Sequence, residues 1–132
     1  MKEFELQRKF NWEVLSEPIA ENTGGGSSIP VVVSYVSETS ITPNFSTDVV
    51  SVSAQSTALT IEAPTGTPVP CKSLMLRIKD NGTSRVLTFN SIYRVIDAPL
   101  PGATVAGKFV YIGLLYNEID NKWDVLGVSQ QY

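Results

Sequence analysis

Apolar and polar residues alternate with period two near the start of the chain. Phe4, Leu6, Phe10, Trp12 and Val14 fall at even positions, and Glu3, Glu5, Gln7, Lys9, Asn11 and Glu13 at odd ones, with Arg8 as the interruption. Period two is the signature of a strand with one apolar face. Fully extended at about 3.3 Å per residue, such a strand reaches on the order of 40 Å. A free strand of this kind invites aggregation, so it is expected to pair. Two arrangements satisfy it: addition to the sheet edge of another chain, be it another protein or a copy of itself, or folding back to complete the sheet of its own domain. In the first, Phe4, Leu6, Phe10, Trp12, Val14 and Leu15 form an anchor.

From Ile29 onward the pattern is a series of short β-branched runs separated by turn residues, with no helical periodicity of useful length. It predicts strands over Pro30 to Val36, Val49 to Ala54, Ala58 to Ala63, Leu74 to Lys79, Arg85 to Asn90, Lys108 to Tyr116 and Trp123 to Ser129. Asp80-Asn81-Gly82-Thr83 and Asn117 to Asn121 read as hairpin connections, because their residues tolerate positive φ. Pro64 to Pro70 and Ala98 to Gly102 read as loops, since proline cannot serve a central ladder. The expectation is an all-β fold, an antiparallel β-sandwich, with the jelly roll as one form open to it. Along the strand at 109–116, Phe109, Tyr111, Gly113 and Leu115 share one face and Val110, Ile112, Leu114 and Tyr116 the other. Two apolar faces on one strand of a small domain predict oligomerisation.

Asn22 to Ser28, reading Asn-Thr-Gly-Gly-Gly-Ser-Ser, has linker composition. It divides the chain into an N-terminal segment (1–21), a linker (22–28) and a β domain (29–132). The 132 residues suit one domain with a real core, and 42% hydrophobic against 17% charged residues is a globular balance. No run approaches the roughly 20 apolar residues of a spanning helix, and the charged start lacks the apolar core of a secretory signal, so no membrane is expected and assembly in the cytoplasm is. Net charge is −3, with acidic excess in the first segment and no concentrated basic patch, which argues against nucleic acid.

Candidate chemistry changes the picture mainly by its scarcity. The chain has no histidine, which removes the commonest general base, metal ligand and partner of a nucleophilic Ser or Cys. Asp97, Glu118, Asp120 and Asp124 sit at loops and strand ends, where solvated acids are ordinary. Glu118, Asp120, Asn121 and Asp124 lack the spacing of a known calcium loop, and Gly24-Gly25-Gly26 lacks the Gly-Lys-Ser/Thr ending of a phosphate loop. The expectation is no enzyme, no cofactor and no metal. The lone Cys71 cannot close an internal disulfide and reads as a small hydrophobe at the start of a strand. Tyr93, Tyr111, Tyr116 and Trp123 are candidates for oligomer packing or for stacking on a glycan.

Leu59 to Val128 resembles a β module found at the C-terminal end of many bacteriophage proteins of tail fibres, head fibres and minor virion components. The resemblance is carried by Pro64-Thr65-Gly66-Thr67-Pro68, Arg77-Ile78-Lys79-Asp80-Asn81-Gly82-Thr83, Tyr93-Arg94, Lys108, Tyr111-Ile112-Gly113-Leu114, Tyr116-Asn117, Asp120 and Lys122-Trp123-Asp124-Val125. The family has a glycine and a polar residue where this chain reads Val69-Pro70-Cys71-Lys72. The resemblance implies a structural protein of the virion, a homotrimer, with no catalytic residues. The expected role is a capsid decoration or head fibre held to capsid or tail proteins by the N-terminal segment. The alternative is a tail-fibre or receptor-binding tip that contacts host surface glycans.

Overall fold

The computed structural model describes residues 29–132; the expected anchor segment and linker, residues 1–28, lie outside the described residues. Nine strands follow one another without a helix among the described residues: β1 Val32–Tyr35, β2 Ser40–Ile41, β3 Val49–Gln55, β4 Leu59–Ile61, β5 Ser73–Asp80, β6 Leu87–Phe89, β7 Tyr93–Val95, β8 Phe109–Asn117 and β9 Lys122–Gln130. They form a six-stranded sheet of order β1-β3-β5-β8-β9-β7 and a three-stranded sheet of order β2-β4-β6.

The all-β expectation holds, but among the nine strands antiparallel ladders are confined to β5/β8 and β8/β9. The other five pairings are parallel. The reason lies in how the first six strands wind. The chain runs β1 in the large sheet, β2 in the small one, then back to β3 beside β1 and β4 beside β2, and again to β5 and β6. Val32, Val49 and Met75 stack in register on one side, and Ser40, Thr60 and Thr88 on the other. A parallel return needs a crossover of a dozen residues or so; here a strand of the opposite sheet and its two corners supply it, giving a short β-solenoid. Asp80 to Thr83 is accordingly a corner between sheets and not the expected hairpin, because β6 pairs with β4. The 117–121 hairpin is present, with Asn117 opposite Lys122.

Corners stack as the strands do. Phe45 N–H donates to the Thr65 carbonyl at 2.9 Å, and Gly66 beside it has φ +97°, where an added Cβ would sit 2.9 Å from Asn44 Nδ2. Gln55, fully buried, ties the β1–β2 corner to the β3–β4 corner: its Oε1 accepts from Glu38 N–H at 3.1 Å and its Nε2 donates to the Glu38 and Thr57 carbonyls. Such a buried amide is tolerable only because its donors and acceptor are met.

The core fills the space between the sheets. Val50, Val52, Leu76, Ile78, Val110, Ile112 and Leu114 face Ile41, Leu59, Ile61 and Leu87. One end is aromatic: the Phe45 ring lies 4.9 Å from Tyr116 and 5.2 Å from Trp123, which itself lies 5.2 Å from Tyr116. Trp123 is 1% exposed, and its Nε1 finds no acceptor among the described residues.

Cys71, expected as a small hydrophobe at the start of a strand, lies outside β5. It is exposed in the turn before β5, with φ +57°. That left-handed conformation suits glycine and strains a residue with a Cβ by about 1 kcal/mol or more. Cys71→Gly is therefore expected to leave stability unchanged or to raise it by up to about 1 kcal/mol, measured as the urea midpoint. A clear loss of stability would show that the thiol makes a contact the fold does not reveal.

Candidate functional site

Three of the four aromatic contact candidates are corrected by the fold. Tyr93 and Tyr116 are 5% exposed and Trp123 1%, so no sugar or subunit reaches their faces. They lie on the inward side of β7, β8 and β9, opposite one another in register. Tyr93 donates its hydroxyl to the Glu62 carbonyl at 2.7 Å, and burial pushes its pKa up. Tyr116 donates to Asn121 Oδ1 at 2.8 Å, which holds Asn121 at φ +53° in the hairpin turn. Tyr111 alone stands on the surface, 38% exposed.

The acidic group at the β8–β9 turn already has its cation. Arg94 Nε reaches Asp124 Oδ1 at 2.7 Å, its Nη2 reaches Asp124 Oδ2 at 3.1 Å, and its Nη1 reaches Asp120 at 2.9 Å. The fork on Asp124 is bidentate, the stronger form of such pairs. These hydrogen bonds hold Asp124 below the ordinary carboxylate value against the opposing effect of burial, and they raise Arg94 in turn. Asn121, once grouped with these acids, is engaged by Tyr116. Among the described residues no cluster of His, Cys, Asp and Glu is arranged to hold a metal. Arg94→Met is expected to raise the Asp124 pKa, because burial is then opposed only by the hydrogen bond with Asn117. A carboxyl-carbon NMR titration checks this; an unmoved Asp124 would contradict it.

The remaining features of possible function lie on the outer side of the six-stranded sheet. Along β8 the inward residues Val110, Ile112, Leu114 and Tyr116 are buried, while Phe109, Gly113 and Leu115 are half-buried and Tyr111 exposed. The second apolar face expected from the sequence is thus present, and nothing else among the described residues covers it. A row of registered residues crosses five strands on this side: Val32, Val49, Met75, Gly113 and Gly127. Because Gly113 and Gly127 are neighbours on adjacent strands, the sheet surface is hollow there. The hollow, about 260 Å³, is lined by Met75, Tyr111, Gly113, Gly127, Val128 and Ser129, none of them charged. Past it along β5 lie Arg77, whose Nε donates to Ser51 Oγ at 3.0 Å, and Lys79, whose ammonium sits 5.2 Å from the Phe109 ring. The alternation in the sequence marked this face; the hollow depends on the β8–β9 register, which the sequence does not give.

Comparison of the chain with known protein families, with curated proteins and with solved structures finds no match.

Proposed function

We propose that the chain is a non-enzymatic structural component of a bacteriophage particle, a capsid decoration or head fibre whose N-terminal segment docks on capsid or tail proteins and whose β domain projects from the virion. One observation carries the reading beyond the resemblance. The residues that resemble the phage module have architectural roles in the fold: Asp80 ties a corner, Tyr93 and Trp123 fill the core, Arg94 and Asp124 clasp neighbouring strands, and Tyr116 fixes the hairpin turn. A motif spent on architecture suits a scaffold selected for assembly. An enzyme's motif residues would converge on a cleft.

The N-terminal segment supplies the anchor in this reading, since alternating Phe4, Leu6, Phe10, Trp12 and Val14 offer one apolar face to a sheet edge. The test is cosedimentation of the purified full-length chain with particles of the encoding phage that lack it. A Phe10→Asp, Trp12→Asp double variant is expected to lose binding at least tenfold with its thermal midpoint unchanged. Equal binding by the folded variant would remove the anchor. The receptor-tip alternative loses most of its proposed contact surface, because Tyr93, Tyr116 and Trp123 are internal.

A further inference from the structure

We infer that two copies of this chain pack face to face through the outer side of the six-stranded sheet, on a two-fold axis that runs along the strands between β5 and β8. The inference stands on the sheet register alone and does not depend on the particle reading. It also departs from the trimer that the resemblance implies.

The β5–β8 ladder sets three successive outward pairs side by side: Met75 with Gly113, Arg77 with Tyr111, and Lys79 with Phe109. Each pair joins unlike members: a flexible apolar side chain and a bare glycine, then twice a cation and an aromatic ring. A two-fold axis between the two strands lays β5 of one copy over β8 of the other. Met75 then meets the partner copy's hollow, and Arg77 and Lys79 meet its two aromatic faces. One strand further out, Val49 lies over the second glycine, Gly127, by the registers of β3 with β5 and of β8 with β9. A patch whose halves complement each other is what an isologous contact requires. Cations over ring faces provide the electrostatic complementarity, worth more as water leaves. In this register no two like charges face each other across the axis. Aligned sheets cross at about 30°, so the match is best at the centre, on Met75, Gly113, Arg77 and Tyr111.

Size sets the expected strength. The four long strands β3, β5, β8 and β9, about 4.8 Å apart and roughly eight residues long, offer a face of about 500 Å² per partner. That is small for a permanent dimer and adequate for a concentration-dependent one.

Sedimentation velocity of the full-length chain over a concentration series tests this, with the mass at each concentration as readout. The parent is expected to pass from one chain to two in the micromolar range. Gly113→Glu should weaken the pairing at least tenfold, since its carboxylate fills the hollow. An added Cβ there meets only Met75 Cε at 3.9 Å and the Gly127 carbonyl at 4.0 Å, so the fold accepts it. Met75→Glu, at a site already 37% exposed, should do the same and serves if the glycine variant misfolds. Val86→Glu, on an exposed residue beside the small sheet, should change nothing. A parent that stays a single chain to several hundred micromolar, a parent of three chains, or folded variants at 113 and 75 that pair as the parent does would each overturn the inference.

Discussion

Trp123→Ala is expected to destabilise the β domain by roughly 3–5 kcal/mol, the usual cost of emptying a buried tryptophan site. Against a typical total of about 5–15 kcal/mol, the variant would be largely unfolded at physiological temperature or close to it. Trp123 lies on the inward face of β9 at 1% exposure, and its ring completes a cluster with Phe45 and Tyr116 that joins the β2–β3 corner to the hairpin. Removing it leaves the other two rings with a void that rigid strands on both sides cannot close. Trp123→Phe should cost much less, because the indole Nε1 has no acceptor to lose among the described residues. Urea denaturation of the two variants checks the contrast. Equal losses would mean that the nitrogen is bonded after all, and a negligible loss for alanine would mean that the aromatic end is not part of the core. The same burial bears on function: a loss of glycan binding in Trp123→Ala would report unfolding, not a lost contact.

The second large effect is expected at Asp80. Its carboxylate is 2% exposed at the end of β5 and accepts from Gly107 N–H at 2.7 Å, from Gly82 N–H at 2.9 Å and from the Thr104 hydroxyl. Thr104 Oγ1 accepts in turn from Arg85 N–H at 2.8 Å. One side chain thus fixes the corner that carries the chain from the large sheet to the small one and pins the 102–107 loop beneath it. Asp80→Ala strands these donors and should cost roughly 2–5 kcal/mol, since hydrogen bonds to a charged group are the expensive ones to remove. Asp80→Asn keeps an acceptor for the two backbone N–H groups and should cost distinctly less. If alanine and asparagine cost the same, the charge is what matters and the hydrogen-bond account fails.

These carboxylates set the pH dependence. Burial alone would raise the Asp80 pKa, but the bonds from Gly107, Thr104 and Gly82, with the Arg85 charge, hold it below 3.8. Asp48 is held down by its bonds to Lys72 and Val31, and Asp124 by Arg94. A folded pKa below the unfolded one contributes stability that is complete above the unfolded value and is lost as pH falls through the folded one. Stability is therefore expected to decline below about pH 4, and with no histidine in the chain to stay level between about pH 5 and 8. Thermal midpoints across that range check it; a step near pH 6 would contradict it. Asp80→Asn should be less acid-sensitive than the parent, as it has one fewer carboxylate to protonate.

Seven of the nine strands were legible as alternating runs because half-buried strands write their burial directly into the sequence. The other two were not, since Ser40–Ile41 and Tyr93–Val95 are too short to establish a period. Pairing direction was illegible for a different reason: alternation is the same in parallel and antiparallel ladders, and the turn residues Asp80 to Thr83 serve a corner as well as a hairpin. The outward face of β8 was legible from Phe109, Tyr111 and Leu115. The hollow was not, because it needs Gly113 opposite Gly127, and β9 carries an extra residue, Leu126, where its register with β8 shifts. The aromatic residues misled as contact candidates because tyrosine and tryptophan suit a surface platform and a core equally well until the inward side is known.

The central claim is that this chain is a multicopy part of a virion. The most direct measurement is quantitative mass spectrometry of density-purified particles of the encoding phage, with the major capsid protein as internal standard. The account predicts that the chain is present at many copies per particle and withstands salt washing. Its absence from purified particles, with the chain recovered free in the lysate, would contradict the account.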